Sequence, residues 1–403
     1  MKSNCFNRVG RALIAGLLTG AALPGMLPGA NAQSPLVLSN QITHALPRRP
    51  SIILIVADGL GYGDLSCYGQ TKFQTPNLDR LAEEGIRFTN YCAGDAANSP
   101  ARAALLVGRD AEHLRQRADQ VVPLTPGEST VARLLKRSGY HTGLIGEWDL
   151  GDDTTGGAPW HQGFDEFAGY LDPSDATNYY ADYIWRFAPG ARINPRNNQK
   201  EDYVGKEMIY PNTGGHQGQY IPDLLTKAAL NFVKNNQPDQ FNRYCPFFLL
   251  LNYTIPGAGS GPVPTDAPYS EESWSQPQKN KAAMISRLDG YVGQMREQLL
   301  DLGLTNNVVI FFTSDTGSQK GGGSDPGFFH SVVASNSLRV PMIVRWPDKI
   351  PPGQVSAYAW TASDFLPTAA DIALTRATAN LDGRSVLPTL LGQPQTGRHG
   401  FSK

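Results

Sequence analysis

Apolar residues follow two spacings along this chain, and the alternation between them is the first structural signal. Ile52 to Ala57, Pro246 to Leu251 and Val308 to Phe312 are continuous apolar runs, as in strands buried on both faces. Between these runs the spacing is helical. Leu78, Leu81 and Ala82 share one face of a helix that Thr75 is placed to cap, Pro76 to open and Gly85 to end. Val131, Leu134 and Leu135 predict a second helix stopping near Gly139, followed by a strand through Leu144 and Ile145. Leu224, Leu225, Ala228, Ala229, Phe232 and Val233 predict another, as do Met284, Leu288, Val292, Met295 and Leu299. Strands alternating with helices predict an α/β fold, a mostly parallel central sheet flanked by helices on both faces. Residues 33–49 read as a flexible lead-in, 50–403 as the folded domain, and most of 152–220, rich in Gly, Pro, Asn and Tyr, as long loops.

In such sheets ligands gather outside the carboxyl ends of the strands. Asp58 and Asp315 each follow an apolar strand, so both are expected at that rim. The start of the chain differs in kind. Lys2, Arg8 and Arg11 precede an Ala-, Leu- and Gly-rich stretch ending at Ala30-Asn-Ala32, which reads as a signal peptide over residues 1–32. Pro24 and Pro28 interrupt its apolar run, so no membrane span is expected in the mature chain, which would be periplasmic or extracellular. Cleavage removes three basic and no acidic residues, moving the net charge from −1 to −4. There is no basic tract, and nucleic acid is not indicated as a partner. Cys67, Cys92 and Cys245 remain, either as one disulfide and a thiol or as three thiols.

The most informative segment is Tyr91 to Arg109. Its Asn98-Ser-Pro-Ala-Arg102, followed by Gly108 and Arg109, resembles the active-site signature of the sulfatase family. In that signature a Cys or Ser before x-Pro-x-Arg is oxidised to formylglycine, the nucleophile. Pro50 to Asp58, Gly61 to Gly69, Thr75 to Phe88, Gly143-Leu-Ile-Gly-Glu-Trp-Asp-Leu-Gly151, Gly163 to Phe167, Thr313 to Gly317 and Arg339 to Pro347 resemble further family motifs in order. The resemblance implies a sulfatase or alkaline-phosphatase-like fold. Leu381 to Gly392 resembles the segment before the family's small C-terminal subdomain; the chain ends at Lys403, so that subdomain is expected to be missing.

The resemblance also implies a chemistry that the residues depart from. Family sulfatases use formylglycine, a divalent cation (usually calcium) on oxygen ligands, and a ring of cations around the sulfate. Here Asn98 holds the nucleophile position and cannot become formylglycine. Asp58 and Asp315 match metal ligands, but Gly59 replaces the second Asp and Thr316 the later Asn. With Asn98 and Thr316 as neutral oxygens, calcium binding is expected to be weak or absent; equally, the two Asp residues could simply cap loops or pair with cations. Arg102 matches the cationic set, whereas Glu147 replaces its Lys, Asp149 its His and Gly257 a second His, and the later Lys falls on His330. A like charge 4 Å from a sulfate costs about 4 kcal/mol at an effective dielectric near 20.

The expectation is a pseudoenzyme that acts by binding a glycan or a protein partner. The alternative is a divergent metal-dependent sulfuric or phosphoric ester hydrolase using metal-activated water. Ser99, one residue out of register, is expected to point away from the site, and Thr316 activated by His330 is a further hydroxyl candidate. Asp58, Glu147, Asp149 and Asp315 together read either as a cation or amine site or as a solvated acidic rim.

Overall fold

The computed structural model describes residues 49–114, 122–237, 245–257, 261–317, 338–378 and 380–396. The signal-peptide segment and His330 lie outside the described residues. Along the chain run β1 (Ser51–Asp58), α1 (Pro76–Glu83), β2 (Ile86–Phe88), β3 (Tyr91–Cys92), α2 (Asn98–Val107), α3 (Val131–Arg137), β4 (His141–Glu147), β5 (Glu166–Tyr170) and α4 (Pro173–Ala176). Then follow β6 (Tyr183–Ile193), β7 (Lys200–Met208), α5 (Ile221–Asn235), β8 (Phe247–Pro256), α6 (Gln276–Asp301), β9 (Val308–Ser314), β10 (Met342–Arg345), β11 (Gln354–Ser356), β12 (Trp360–Thr361), α7 (Phe365–Ile372) and α8 (Leu387–Leu390).

Ten strands form one sheet in the order β11-β2-β10-β9-β1-β8-β4-β5-β6-β7. Its centre, β9-β1-β8-β4-β5, is parallel throughout, while β10, β6 and β7 join in antiparallel sense. Strand side chains alternate between faces, and β1 divides accordingly. Ile53, Ile55 and Ala57 pack in one core with α1, α5 and α6; Ile52, Leu54 and Val56 pack in the other with α2, α3 and α7. Both faces are thus covered by helices, as the periodicity predicts.

Two local expectations are corrected. Residues 152–220 are not mainly loops, because β5, β6 and β7 extend the sheet there. The β6–β7 ribbon is mostly exposed, so burial left little alternation in its sequence. Cross-strand pairs help hold it: Arg186 Nη1 is 3.0 Å from Glu207 Oε2, and Lys206 Nζ lies 3.9 Å from the centre of the Tyr183 ring. Thr75 stands at the start of α1, but its hydroxyl does not cap the helix. Asp289 of α6 does so instead, accepting from the backbone N–H groups of Asn77 at 3.0 Å and Leu78 at 2.8 Å. Cys67 and Cys92 are free thiols. Among the described residues no helix is long and apolar enough to cross a membrane.

Candidate active site

The parallel register brings the carboxyl ends of β9, β1, β8 and β4 to one rim, and α2 begins there. Asp58 ends β1, Asp315 follows β9, Glu147 ends β4 and Asp149 lies two residues beyond it. Ala57 pairs with Ser314 in the ladder, and the Asp315 N–H donates to Ala57 O at 3.0 Å, so Asp58 and Asp315 are held side by side. Asn98 and Arg102 lie one turn apart on α2, which Gly108 ends in a left-handed conformation (φ 71°).

Arg102 is the centre. It is buried, and its guanidinium is enclosed by three carboxylates. Nε and Nη2 donate to Asp315 Oδ2 at 3.0 and 2.8 Å, and Nη2 also donates to Glu147 Oε2 at 2.9 Å. Nη1 lies 2.6 Å from Glu147 Oε1 and 3.7 Å from Asp149 Oδ2. Nε and Nη2 are therefore hydrogen-bonded to carboxylate, while Nη1 of Arg102 is close to Glu147 and Asp149 without making a hydrogen bond. Burial works against its charge, but Glu147 and Asp315 outweigh that and raise its pKa.

A second set of contacts joins the residues that resemble metal ligands. Asn98 Nδ2 donates to Asp58 Oδ1 at 2.9 Å, and Thr316 Oγ1 donates to Asn98 Oδ1 at 3.1 Å. Asp315 Oδ1 accepts from the Gly59 N–H at 3.2 Å. The Asn98 amide thus bridges Asp58 to Thr316 directly.

Loss of hydration, with Asp315 and Glu147 close by, holds the Asp58 carboxyl well above its ordinary value. Burial also raises Glu147 and Asp149, although Arg102 opposes it in both. Glu147, Asp149 and Asp315 are each no more than 3% exposed, so the reading of this cluster as a solvated rim does not hold.

Ser99 does not point away from the site: its hydroxyl donates to Asp149 Oδ2. Successive helical residues differ by about 100°. At the start of α2 that turn carries Asn98 to the Asp58 side and Ser99 to the Asp149 side of the same cluster. Gly257 adopts φ 54°, and its N–H donates to Asp58 O at 2.8 Å. A Cβ at 257 would lie 2.8 Å from the Tyr179 hydroxyl, so Tyr179 occupies the direction a side chain there would take.

Sequence reasoning missed Asn252 and Thr254. Asn252 Nδ2 donates to the Glu147 carbonyl at 2.7 Å. Both interrupt an otherwise apolar buried strand, β8, and that interruption was the available signal.

The sulfatase family model matches residues 50–375. The chain is 32% identical over 372 residues to arylsulfatase A of Homo sapiens, covering 89% of this chain and 71% of that protein. It is 29% identical to the N-acetylgalactosamine-6-O-sulfatase of Bacteroides thetaiotaomicron, covering 87% and 78%. With steryl-sulfatase of Mus musculus the identity is 28%, covering 88% and 67%; several of these curated relatives are spanned for about two thirds of their length. Among solved structures, Ps i-CgsB in complex with k-i-k-neocarrahexaose superposes with a TM-score of 0.68 at 28% identity, covering 86% of this chain and 77% of that one. The phosphonate monoester hydrolase of Agrobacterium radiobacter, 20% identical with a TM-score of 0.59, shares the fold. This chain belongs to the sulfatase family, within the alkaline phosphatase superfamily.

Proposed function

We propose that this protein has lost formylglycine-dependent sulfate ester hydrolysis and acts by binding, as an exported pseudoenzyme whose partner is a glycan or a protein. The observation that carries this reading is the state of Arg102. It is the one residue matching the family's cationic set among the described residues, and it is surrounded by Glu147, Asp149 and Asp315 as ion-pair partners, with Nε and Nη2 hydrogen-bonded to Asp315 and Glu147. Among the described residues the other basic group near Asp58, Lys281, pairs with Asp64, and the charge these residues leave around Arg102 is negative. Asn98 supplies an amide where the reaction needs an aldehyde hydrate.

Calcium does not suit this donor set. Asp315 Oδ2 is already bound twice by the Arg102 guanidinium, and Asn98 Oδ1 accepts from the Thr316 hydroxyl. Among the described residues no group of three or more His, Cys, Asp or Glu is placed to hold a metal. Calcium prefers six to eight oxygens at about 2.3–2.6 Å, which a neighbouring guanidinium opposes. Export rests on the 1–32 signal sequence, and a glycan partner is compatible with the oligosaccharide-bound relative.

A second reading, a divergent ester hydrolase, has one observation in its favour: the Ser99 hydroxyl donates to Asp149, a carboxylate whose raised pKa suits a base. One assay separates the two. The purified mature protein is offered aryl sulfates, sulfated glycans and aryl phosphates with calcium, magnesium or manganese, beside Asp315→Ala and Ser99→Ala. The expected result is no turnover above the variants. Turnover lost in either variant would establish a working site and end the pseudoenzyme reading. Asn98→Cys, converted to formylglycine, is expected to stay inactive because Glu147 and Asp149 remain.

A further inference from the structure

Beside the Arg102 cluster lies a cavity of about 180 Å³. Its polar lining residues are Asp58, Asn98, Glu147, Thr177, Tyr179 and Thr254. Among the described residues no Lys, Arg or His lines it. The two carboxylates differ. Both oxygens of Glu147 are engaged by Arg102. Asp58 receives one side-chain hydrogen bond, from Asn98 to Oδ1, while its Oδ2 lies on the Gly257 side, 3.4 Å from where a Cβ at 257 would stand. The other basic group near Asp58, Lys281, lies 3.8 Å from Asp64.

A second, independent observation concerns Thr254. The residue is only 2% exposed and lines this cavity, yet its Oγ1 has no hydrogen-bond partner. Buried hydroxyls are ordinarily paired. The Tyr179 hydroxyl reaches the same space, since it would stand 2.8 Å from a Cβ at 257.

We infer that this cavity takes the primary ammonium group of a small amine, with Asp58 as its counter-ion and the Thr254 and Tyr179 hydroxyls accepting its remaining N–H bonds. The inference deepens, and rests on, the reading of the site as one that binds. An alkylammonium has three donors and no acceptor, which matches a carboxylate and two hydroxyls. A sulfate or phosphate would meet the Asp58 carboxylate and, among the described lining residues, no cation. A quaternary ammonium has no N–H to donate and relies on aromatic faces, of which Tyr179 supplies one.

The test is calorimetric titration of the full mature protein with ethylammonium chloride at fixed ionic strength. Tetramethylammonium, calcium and sulfate are run in parallel, together with Asp58→Asn and Thr254→Val. The expected result is saturable one-to-one ethylammonium binding, about tenfold weaker in Asp58→Asn and about threefold weaker in Thr254→Val, by loss of a charged and a neutral hydrogen bond. Tetramethylammonium should bind at least about tenfold more weakly, and calcium should not displace ethylammonium. No saturable binding, equal binding of tetramethylammonium, displacement by calcium, or unchanged affinity in both variants would each overturn the inference. If circular dichroism shows Asp58→Asn unfolded, Thr254→Val and the wild-type selectivity decide alone. Ester hydrolysis by the same preparation would sink the binding reading itself; absence of both hydrolysis and ethylammonium binding would sink only the amine.

Discussion

Two charge clusters in this protein are near mirror images. At the rim of the sheet one arginine, Arg102, faces Glu147, Asp149 and Asp315. On the far side of the fold one glutamate, Glu84, faces Arg80, Arg296 and Arg345 at 3.0, 2.6 and 2.7 Å. The second cluster ties the end of α1 to α6 and β10. Glu84 is 27% exposed and Arg80 62%, so water reaches one side of the cluster, while Arg296 and Arg345 are largely buried. Burial acts against the Glu84 carboxylate, but hydrogen bonds from the three arginines outweigh it and hold its pKa at about 2. In the Arg102 cluster the surplus is negative and shut away from water, and burial pushes Asp58, Glu147 and Asp149 upward. The same three-to-one ratio is therefore a clamp where solvent reaches it and a standing electrostatic cost where solvent does not. A fold keeps its clamps for stability. A buried surplus of one sign at the ligand-gathering rim of a sheet points to use.

The sharpest way to break this contrast is Arg102→Met. It strands three carboxylates in the interior, and the expected loss is about 3–5 kcal/mol in urea unfolding at pH 7. The loss should shrink near pH 4, where the carboxyls can take up protons; a loss that ignores pH would show that the cluster is not electrostatically strained. Glu84→Gln is next. The expected cost is about 2 kcal/mol at pH 7, more than for exposed pairs because Arg296 and Arg345 are largely buried. Because the folded Glu84 pKa is lowered, its stabilisation is present above the ordinary value of 4.5 and is lost as pH falls toward about 2. Stability curves of wild type and Glu84→Gln should converge across that interval.

The smallest effect is expected from Asp58→Asn, and its sign is opposite. A carboxyl raised above 3.8 in the fold binds its proton more tightly there than in the unfolded chain. Its contribution therefore falls as pH rises from 3.8 through the raised value. Asparagine keeps an oxygen for Asn98 Nδ2 and removes that loss, so Tm at pH 7 should rise by about 2 °C in differential scanning calorimetry. A lower Tm would mean that Asp58 is compensated as well as Glu84 is.

Much of this was legible along the chain, because apolar periodicity and short motifs are local properties. Runs such as Ile52–Ala57 and Val308–Phe312 could only be strands buried on both faces, and their order with the helices implied the parallel centre of the sheet. The motif positions gave the substituted residues one by one, from Asn98 to Thr316. The β6–β7 ribbon was not legible, because it stabilises itself through a partner strand rather than through burial. Nor was the side toward which Ser99 turns, or the trans cap that Asp289 lends to α1. Above all, sequence supplied four acidic residues and one arginine without saying which carboxylates the arginine would neutralise. That choice belongs to three-dimensional distance: Arg102 reaches Glu147, Asp149 and Asp315, and leaves Asp58 to the cavity. Charge energies depend on ångströms and on access to water, and neither is written in the order of residues.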